Sequence, residues 1–495
     1  MRDMLHPGIY KEEILGQPPM EPLSTSIAGF VGVAPKGEIG VPTLITNFEK
    51  FKKEFGGYDQ NSILAYVVKG FFENGGSRCY VVRTVHYEHD HKTSAPASKD
   101  VTIEVGKVFA VSAKNDGVWG NKIEFELKVD KPAGLDHGEA PKTFTLNVYY
   151  DGTLKETYKG LTLESVEDET QESSYIKVKA EVLEHPEKAT LKDIEKTKLV
   201  GGKDGIEGIV DADFLGSGNV VCGLATLKKY PVNFVAIPGE TSEAIYSGLL
   251  TYADNMKNCV AILDSPAEKN PEQMAKYMAS MNLNSSYSAI YYPSLVVSDP
   301  IGVGKNCTKV VPPCGHVIGA IATCQNSYGV WEAPAGTKAK IKGVLGLNHI
   351  VDDEDQDILN PINVNALRVM PRFGLCIWGA RTLSYEDFKY LPVRTLNLFI
   401  EQYLDTNMLW TVFKPNGENL WGSIRLNIST FLTSIWGKGG LRGSSAEEAF
   451  YVKCDSENND EDSIDMGITN VDIGISVLKP AEFIVFRISH KRGVK

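Results

Sequence analysis

The sequence predicts a multidomain α/β protein in which a mostly β module interrupts an α/β core. Three observations carry this. At 495 residues the chain is too long for one ordinary core, and usual domain sizes give roughly two to four modules. Buried-type strands alternate with amphipathic helices both before position 86 and after position 205, the mark of a largely parallel sheet covered on both faces. Between His86 and Leu199 the pattern changes to short alternating runs rich in Lys, Glu, Asp and Thr, suited to half-exposed antiparallel strands.

Residues 1–22 hold Pro7, Pro18, Pro19 and Pro22 with little apolar periodicity, and read as an extended arm. From Thr25 a β-like run leads to Ala34, and Asn47 is placed to cap a helix whose Phe48, Phe51 and Phe55 share one face before Gly56 and Gly57 stop it. A second helix runs from Ser62 to Glu73, closed by Gly75 and Gly76, and a strand follows over Arg78–Thr84. Lys122–Val129 and Thr143–Tyr149 alternate as strands of the inserted module.

After the glycine-rich Gly201–Gly205 the α/β pattern resumes. It predicts strands at Val232–Ile237, Val260–Leu263 and Ala289–Val297, with helices at Glu243–Lys257, Pro271–Met281 and His316–Cys324. Asp352–Asp355 reads as a solvated acidic loop before the last module. That module carries helices at Pro392–Leu404 and Leu420–Trp436 and a closing strand pair, Val471–Val477 with Glu482–Ser489.

Composition narrows the function classes. Apolar residues at 42% and charged residues at 23% are ordinary for a globular chain. A net charge of −12 argues against a phosphate-neutralising surface, so nucleic acid is not the expected partner. The start Met1–Tyr10 carries charge and a proline where a signal peptide has its apolar run, and no stretch approaches the ~20 apolar residues that span a bilayer. Eight cysteines, most of them (Cys222, Cys259, Cys324, Cys376) within apolar runs, suit reduced packing residues better than a disulfide framework.

The common signatures of enzymes are absent: no Gly-x-Ser-x-Gly, no His-Glu-x-x-His and no P-loop occurs. Gly201–Gly208 lacks the Ser/Thr of a phosphate cradle and reads as a domain junction. His86, His89 and His91 lie on a polar boundary that suits a solvated linker. Cys307, Cys314, His316 and Cys324 match no common zinc spacing, and Asp352–Asp357 lacks the glycine and closing glutamate of an EF-hand loop. No catalytic, cofactor-binding or metal-binding residue is therefore assigned.

Several stretches together resemble contractile tail sheath proteins of phages, R-type bacteriocins and related injection systems. The first are Pro7-Gly-Ile-Tyr10, Thr25-Ser-Ile-Ala-Gly-Phe-Val-Gly-Val-Ala-Pro-Lys-Gly37, Pro42-Thr-Leu-Ile-Thr-Asn-Phe48 and Phe71-Phe-Glu-Asn-Gly-Gly-Ser-Arg-Cys-Tyr-Val-Val-Arg83. Gly201–Gly205, Val330-Trp-Glu-Ala-Pro-Ala-Gly336, Leu359-Asn-Pro, Asn365-Ala-Leu-Arg368, Ile377-Trp-Gly-Ala-Arg-Thr-Leu383 and Pro392-Val-Arg394 follow in order. Leu420-Trp to Phe431-Leu, Trp436-Gly-Lys-Gly-Gly-Leu-Arg-Gly443, Ala449-Phe-Tyr-Val-Lys-Cys-Asp455 and Pro480-Ala-Glu-Phe483 complete the series. Only about 95–200 carries no such stretch, as expected of a variable decoration domain.

The resemblance implies an N-terminal arm (1–22), a core of subtilisin-like fold in two parts (23–90 and 201–355), an inserted outer β domain (91–200), a tube-facing α+β domain (356–479) and a C-terminal arm strand (480–495). It implies a structural subunit that polymerises into rings or a helix around an inner tube and contracts to drive the tube through a target envelope. The partners implied are copies of the chain itself, the inner tail tube, and baseplate and tail terminator proteins, with no nucleic acid and no membrane insertion by the sheath. Assembly is expected in a bacterial cytoplasm, into a virion tail or phage-like particle. Arm strands exchanged between subunits are expected at Gly8, Ile9 and Tyr10 and at Phe483, Val485 and Arg487; tube contacts are expected at Arg425, Lys438 and Arg442. The rival readings are a subtilisin-fold hydrolase and a non-contractile shell protein.

Overall fold

The computed structural model describes residues 25–103, 106–130, 143–181, 191–216, 220–304, 307–386 and 388–483. By compactness the described residues divide into a central unit, covering 25–398 and 477–483, and a C-terminal unit, 399–476.

The central unit begins with β1 (Ala28–Gly32), β2 (Thr43–Ile45), α1 (Phe48–Phe55), α2 (Leu64–Glu73) and β3 (Cys79–Arg83). Asn47 caps α1 as its side chain predicts, accepting from Lys50 N at 2.8 Å, and Phe51 and Phe55 are buried. The second helix starts two residues later than expected, at Leu64, whose N–H is taken by Ser62 Oγ.

The insertion holds β4 (Tyr87–Glu88), β5 (His91–Lys92), β6 (Ser98–Ile103), β7 (Gly106–Ala113), β8 (Ile123–Val129), β9 (Phe144–Tyr150), β10 (Thr153–Leu161), the short helix α3 (Val166–Glu169), β11 (Ile176–Ala180) and β12 (Ile194–Lys198). Two antiparallel sheets, β10-β9-β8-β12 and β11-β7-β6, enclose one core that includes Val111, Phe109, Phe125, Leu127, Phe144 and Val178. The alternation in β8 and β9, buried at every second residue, is what the sequence displays.

The central unit then continues through α4 (Asp211–Leu215), β13 (Phe234–Ala236), α5 (Glu243–Met256), β14 (Val260–Asp264), α6 (Pro271–Met281), β15 (Ser288–Tyr292), β16 (Leu295–Ser298), β17 (Thr308–Val311), α7 (Cys314–Tyr328), β18 (Gly346–Leu347), α8 (Asp353–Leu359), β19 (Val364–Met370) and β20 (Gly374–Ile377). Its main sheet has the order β2-β3-β1-β13-β14-β15-β19-β20, with the six inner strands parallel and both edge strands antiparallel. Successive strand residues face opposite cores. Phe234, Ile262 and Tyr291 meet α1, α2 and α7 on one side, while Val235, Leu263 and Ile290 meet α5 and α6 on the other. Helices α2 and α7 pack closely because Gly315 and Gly319 face the backbone oxygens of Val67 and Phe71, where a Cβ would lie at 2.2 and 2.5 Å.

Three expectations need correction. The run Ala289–Val297 is two strands: β15 belongs to the main sheet, and after Pro293, which has no N–H for the ladder, β16 joins the separate sheet β17-β16-β18. Asp352–Asp355 is a helix start: Asp352 accepts from Asp355 N at 2.9 Å, and the acidic first turn of α8 suits the helix dipole. The segment 356–398, expected in the last module, supplies β19 and β20 to the main sheet, and the compact C-terminal unit begins at Phe399.

The glycine-rich junction lies where the insertion joins the core. His86 N donates to Gly205 O at 2.7 Å and Ala95 N to Lys203 O at 3.1 Å, so the entering and leaving chains run side by side. Gly202 touches Gly117 O, where a Cβ would lie at 2.4 Å. Arg83, fully buried, donates to Gly37 O and to Asp116 O of the insertion.

Candidate assembly interface

The C-terminal unit is built on α9 (Leu391–Asn407, its second half) and α10 (Glu418–Gly437), followed by α11 (Ala446–Ala449), β21 (Phe450–Lys453), α12 (Glu461–Asp465) and β22 (Asp472–Ile475). Leu420, Ile424, Ile428, Phe431 and Ile435 recur at helical spacing and form the buried face of α10. Tyr403 stacks on Phe431 with the ring planes 2° apart and donates through its hydroxyl to Asn427.

Strands β21 and β22 pair antiparallel in a two-stranded sheet, with Tyr451 opposite Gly474 and Lys453 opposite Asp472. Among the described residues neither outer edge is paired. Apolar side chains stand part-exposed on it, Tyr451 to 61%. A two-stranded ribbon is marginal by itself. This one is held at one end by Ser476 N to Ala449 O (2.8 Å) and Arg442 N to Ser476 O (2.8 Å). At the other end Asn458 donates to Lys453 O and to an Asp472 carboxylate oxygen (both 3.0 Å), and Asn459 donates to Asn470 O (3.0 Å). Most of the expected partner Glu482–Ser489 lies outside the described residues; within them β22 pairs with Phe450–Lys453, a four-residue strand with no periodicity to reveal it.

The three basic residues expected at the tube differ in their surroundings. Arg425 is part-buried and engaged within the unit, donating to Cys454 O and to Glu418 Oε1 at 2.9 Å. Lys438, just past the end of α10, and Arg442 are exposed. Between Asp455 and Asp472 the unit carries seven acidic residues and no basic one.

In the central unit the C-terminal segment is fastened before the chain leaves the described residues. The Arg381 guanidinium, 6% exposed, grips Glu482, 19% exposed: Nε donates to Oε1 at 2.8 Å, Nη2 to Oε2, and Nη1 to Asn360 O at 2.6 Å. Phe483 follows with 77% of its surface exposed. In the sequence the only trace of this pair is a charged residue inside each of two otherwise apolar stretches, Ile377–Leu383 and Pro480–Phe483. Gly8, Ile9, Tyr10, Val485 and Arg487 lie outside the described residues.

Asp264, Cys314 and His316 are buried in the central unit. Asp264, buried at the end of β14, accepts from Cys314 N (2.8 Å) and Gly239 N (3.2 Å) and so caps α7. Burial pushes its carboxyl up to about 6 despite those bonds. Burial, then the neighbouring Asp264, drives the Cys314 thiol well above its ordinary value, opposite to the activation a nucleophile requires. His316 is lowered to about 4, by burial and then by Lys69. His86 pairs with Asp213 at 2.9 Å, while His89 and His91 lie exposed on the β4–β5 hairpin. Among the described residues no cluster of three or more metal-type ligands occurs, and no helix is long and apolar enough to cross a membrane.

A doubly wound core, an inserted sandwich and a small unit with a two-stranded ribbon define a multidomain α/β class. Comparison with known families gives the particular one. Residues 209–383 match the phage tail sheath protein central domain and 384–491 the phage tail sheath C-terminal domain. The chain belongs to the phage tail sheath protein family and is a structural sheath subunit.

The fold agrees. The sheath of an extracellular contractile injection system, PVC, in its contracted state is similar over 98% of this chain and 98% of its own, at TM-score 0.58 and 20% identity. The contracted helical sheath of the anti-feeding prophage is similar over 98% and 99%, at 0.57 and 20%. The sheath tail protein from Listeria innocua is similar over 92% and 96%, at 0.62 and 12%. Among curated proteins none matches the chain.

Proposed function

We propose that this subunit polymerises around an inner tube and that the lattice shortens to drive the tube through a target envelope. The observation that carries the reading is the open β21–β22 ribbon, since an unpaired two-stranded sheet is a template for added strands. Segments 1–22 and 480–495 are the strands proposed to be exchanged between copies, through Gly8, Ile9 and Tyr10 and through Phe483, Val485 and Arg487. Main-chain pairing survives changes in the angle between subunits, and the Arg381–Glu482 clamp gives the C-terminal arm a fixed root.

Lys438 and Arg442 are proposed to face the tube, with Arg425 supporting them by tying α10 to Cys454. Baseplate and terminator proteins are the proposed end partners, in a virion tail or phage-like particle assembled in a bacterial cytoplasm. The core is read as subtilisin-like in fold, supported by its parallel order, and as non-enzymatic, supported by the buried Cys314 thiol. Electron microscopy of the purified protein, alone and with its co-expressed tube protein, tests the function. Hollow cylinders lost on deleting 1–20 or 480–495 are expected; a monomer under every condition overturns the reading.

A further inference from the structure

We infer that a cleft in the central unit holds the chain's own residues 484–495 in the free subunit, so that the C-terminal segment is kept at home until assembly draws it out. The docking site is read from the cleft itself; only the release on assembly rests on the strand-exchange reading above.

Four stretches far apart in sequence meet around this cleft of about 850 Å³: its lining comes from 332–338, 353–368, 378–380 and 480–483. That volume is in the range of sites that enclose most of a ligand. Ala333, Pro480 and the part-exposed Trp378 supply apolar surface. The charged lining is acidic in balance, Glu332, Asp353, Asp357 and Glu482 against Lys338 and Arg368. Both bases are already used, Lys338 by Glu332 and Arg368 by Asp353, each at 2.8 Å. Glu482 is held by Arg381. Asp357, exposed in the last turn of α8, has no basic partner among the described residues. An occupant that suits these walls is apolar and carries positive charge.

Segment 484–495 is both. It opens on Ile484, Val485, Phe486 and Ile488 and carries Arg487, Lys491, Arg492 and Lys495 with no acid. The other chain end outside the described residues, 1–24, has two bases against four acids. Position points to the same occupant. Residues 480–483 already form part of the cleft wall, and Phe483, 77% exposed, is where the described chain stops. A segment rooted on the wall has a high effective concentration in the cleft, which a second copy in dilute solution cannot match. The contact is nonetheless weak, because exposed ion pairs contribute little each. It therefore holds while subunits are scattered and gives way to main-chain pairing once neighbours are lined up in a lattice.

The test places a reporter thiol in the cleft by Thr337→Cys, at an exposed lining position. Native Cys307, exposed and outside the cleft lining, is the internal reference. Dilute protein, free of cylinders by electron microscopy, is treated with a thiol reagent and the rate at each site is read by mass spectrometry. Deleting 484–495 is expected to speed labelling of the introduced thiol roughly 10-fold and to leave Cys307 unchanged. A synthetic peptide of residues 484–495 added to the truncated chain should restore the protection. In the full-length chain the protection should not change on dilution. Equal rates in the full and truncated chains overturn the inference. Protection that fades on dilution gives the cleft to a second copy's segment and overturns docking within one chain.

Asp357→Lys turns attraction into repulsion while leaving Arg381 and Glu482 in place. It should speed labelling of the reporter roughly threefold and, in the chain without the reporter, shorten the lag before cylinders form. A lag that is unchanged or longer overturns the release on assembly. If the labelling results hold and no cylinders form at any concentration, the strand-exchange reading falls and the cleft assignment stands.

Discussion

Replacing Glu482 with Ala probes the root of the C-terminal arm. It removes two of the three acceptors that satisfy Arg381 and leaves a guanidinium only 6% exposed with Asn360 O as its remaining partner. Breaking one side of a buried pair typically costs about 3–5 kcal/mol, and the 19% exposure of Glu482 argues for the low end, about 3 kcal/mol. That corresponds to a roughly 100-fold larger population in which the segment following Ser476 is detached. Chymotryptic cleavage after Leu478 follows that population when reclosing is fast, so release of the 479–495 fragment should accelerate by a similar factor. Glu482→Gln, which keeps the shape and one acceptor, should fall between. The double variant Arg381→Met, Glu482→Leu removes the unpaired charge and should cleave more slowly than Glu482→Ala. Cleavage of Glu482→Ala within about threefold of the parent, or no recovery in the double variant, would show that this pair does not fasten the segment.

Asp264 has a carboxyl raised to about 6 in the fold against about 3.9 unfolded, so between those values the folded chain binds more protons. Stability should therefore be greatest at the acid end of this window and decline as pH rises to about 6. Asp264→Asn should flatten that decline, measured by urea unfolding at pH 4.5 and 7.5. Gly202→Ala places a methyl 2.4 Å from Gly117 O and should loosen the insertion by about 1–3 kcal/mol, seen as faster hydrogen exchange in β12 with the main sheet unchanged. In native protein one thiol of eight, Cys307, should react quickly with a thiol reagent; several fast thiols would contradict the burial of the other seven.

Local signals explain which parts of this fold were legible. Helices α5 and α6 begin where Ser242 and Asn270 cap them, and their ranges follow from capping and periodicity alone. The same capping logic applies at Asp352, but consecutive acids disguised the helix as a loop. What was illegible is nonlocal. The 10-residue α2 declares itself, whereas the membership of β19 and β20 in the main sheet depends on pairing with β15 more than 70 residues earlier. Strand β21 has four residues, too few for a period, and its partner begins 19 positions later beyond α12. Arg381 and Glu482 are 101 residues apart, so no spacing rule joins them. For the proposed assembly surfaces, the family resemblance pointed to Arg425, yet only the structure reveals that Glu418 and Cys454 already engage it.

The junction at the base of the β-sandwich has an architectural consequence. Because His86 and Gly205 are hydrogen-bonded neighbours, the sandwich enters and leaves the core at one place. Excising residues 87–204 would leave two ends close enough for a tight turn, and a different module with adjacent termini could occupy the same place. Variation in this module can therefore leave the framework below it with its own strand order.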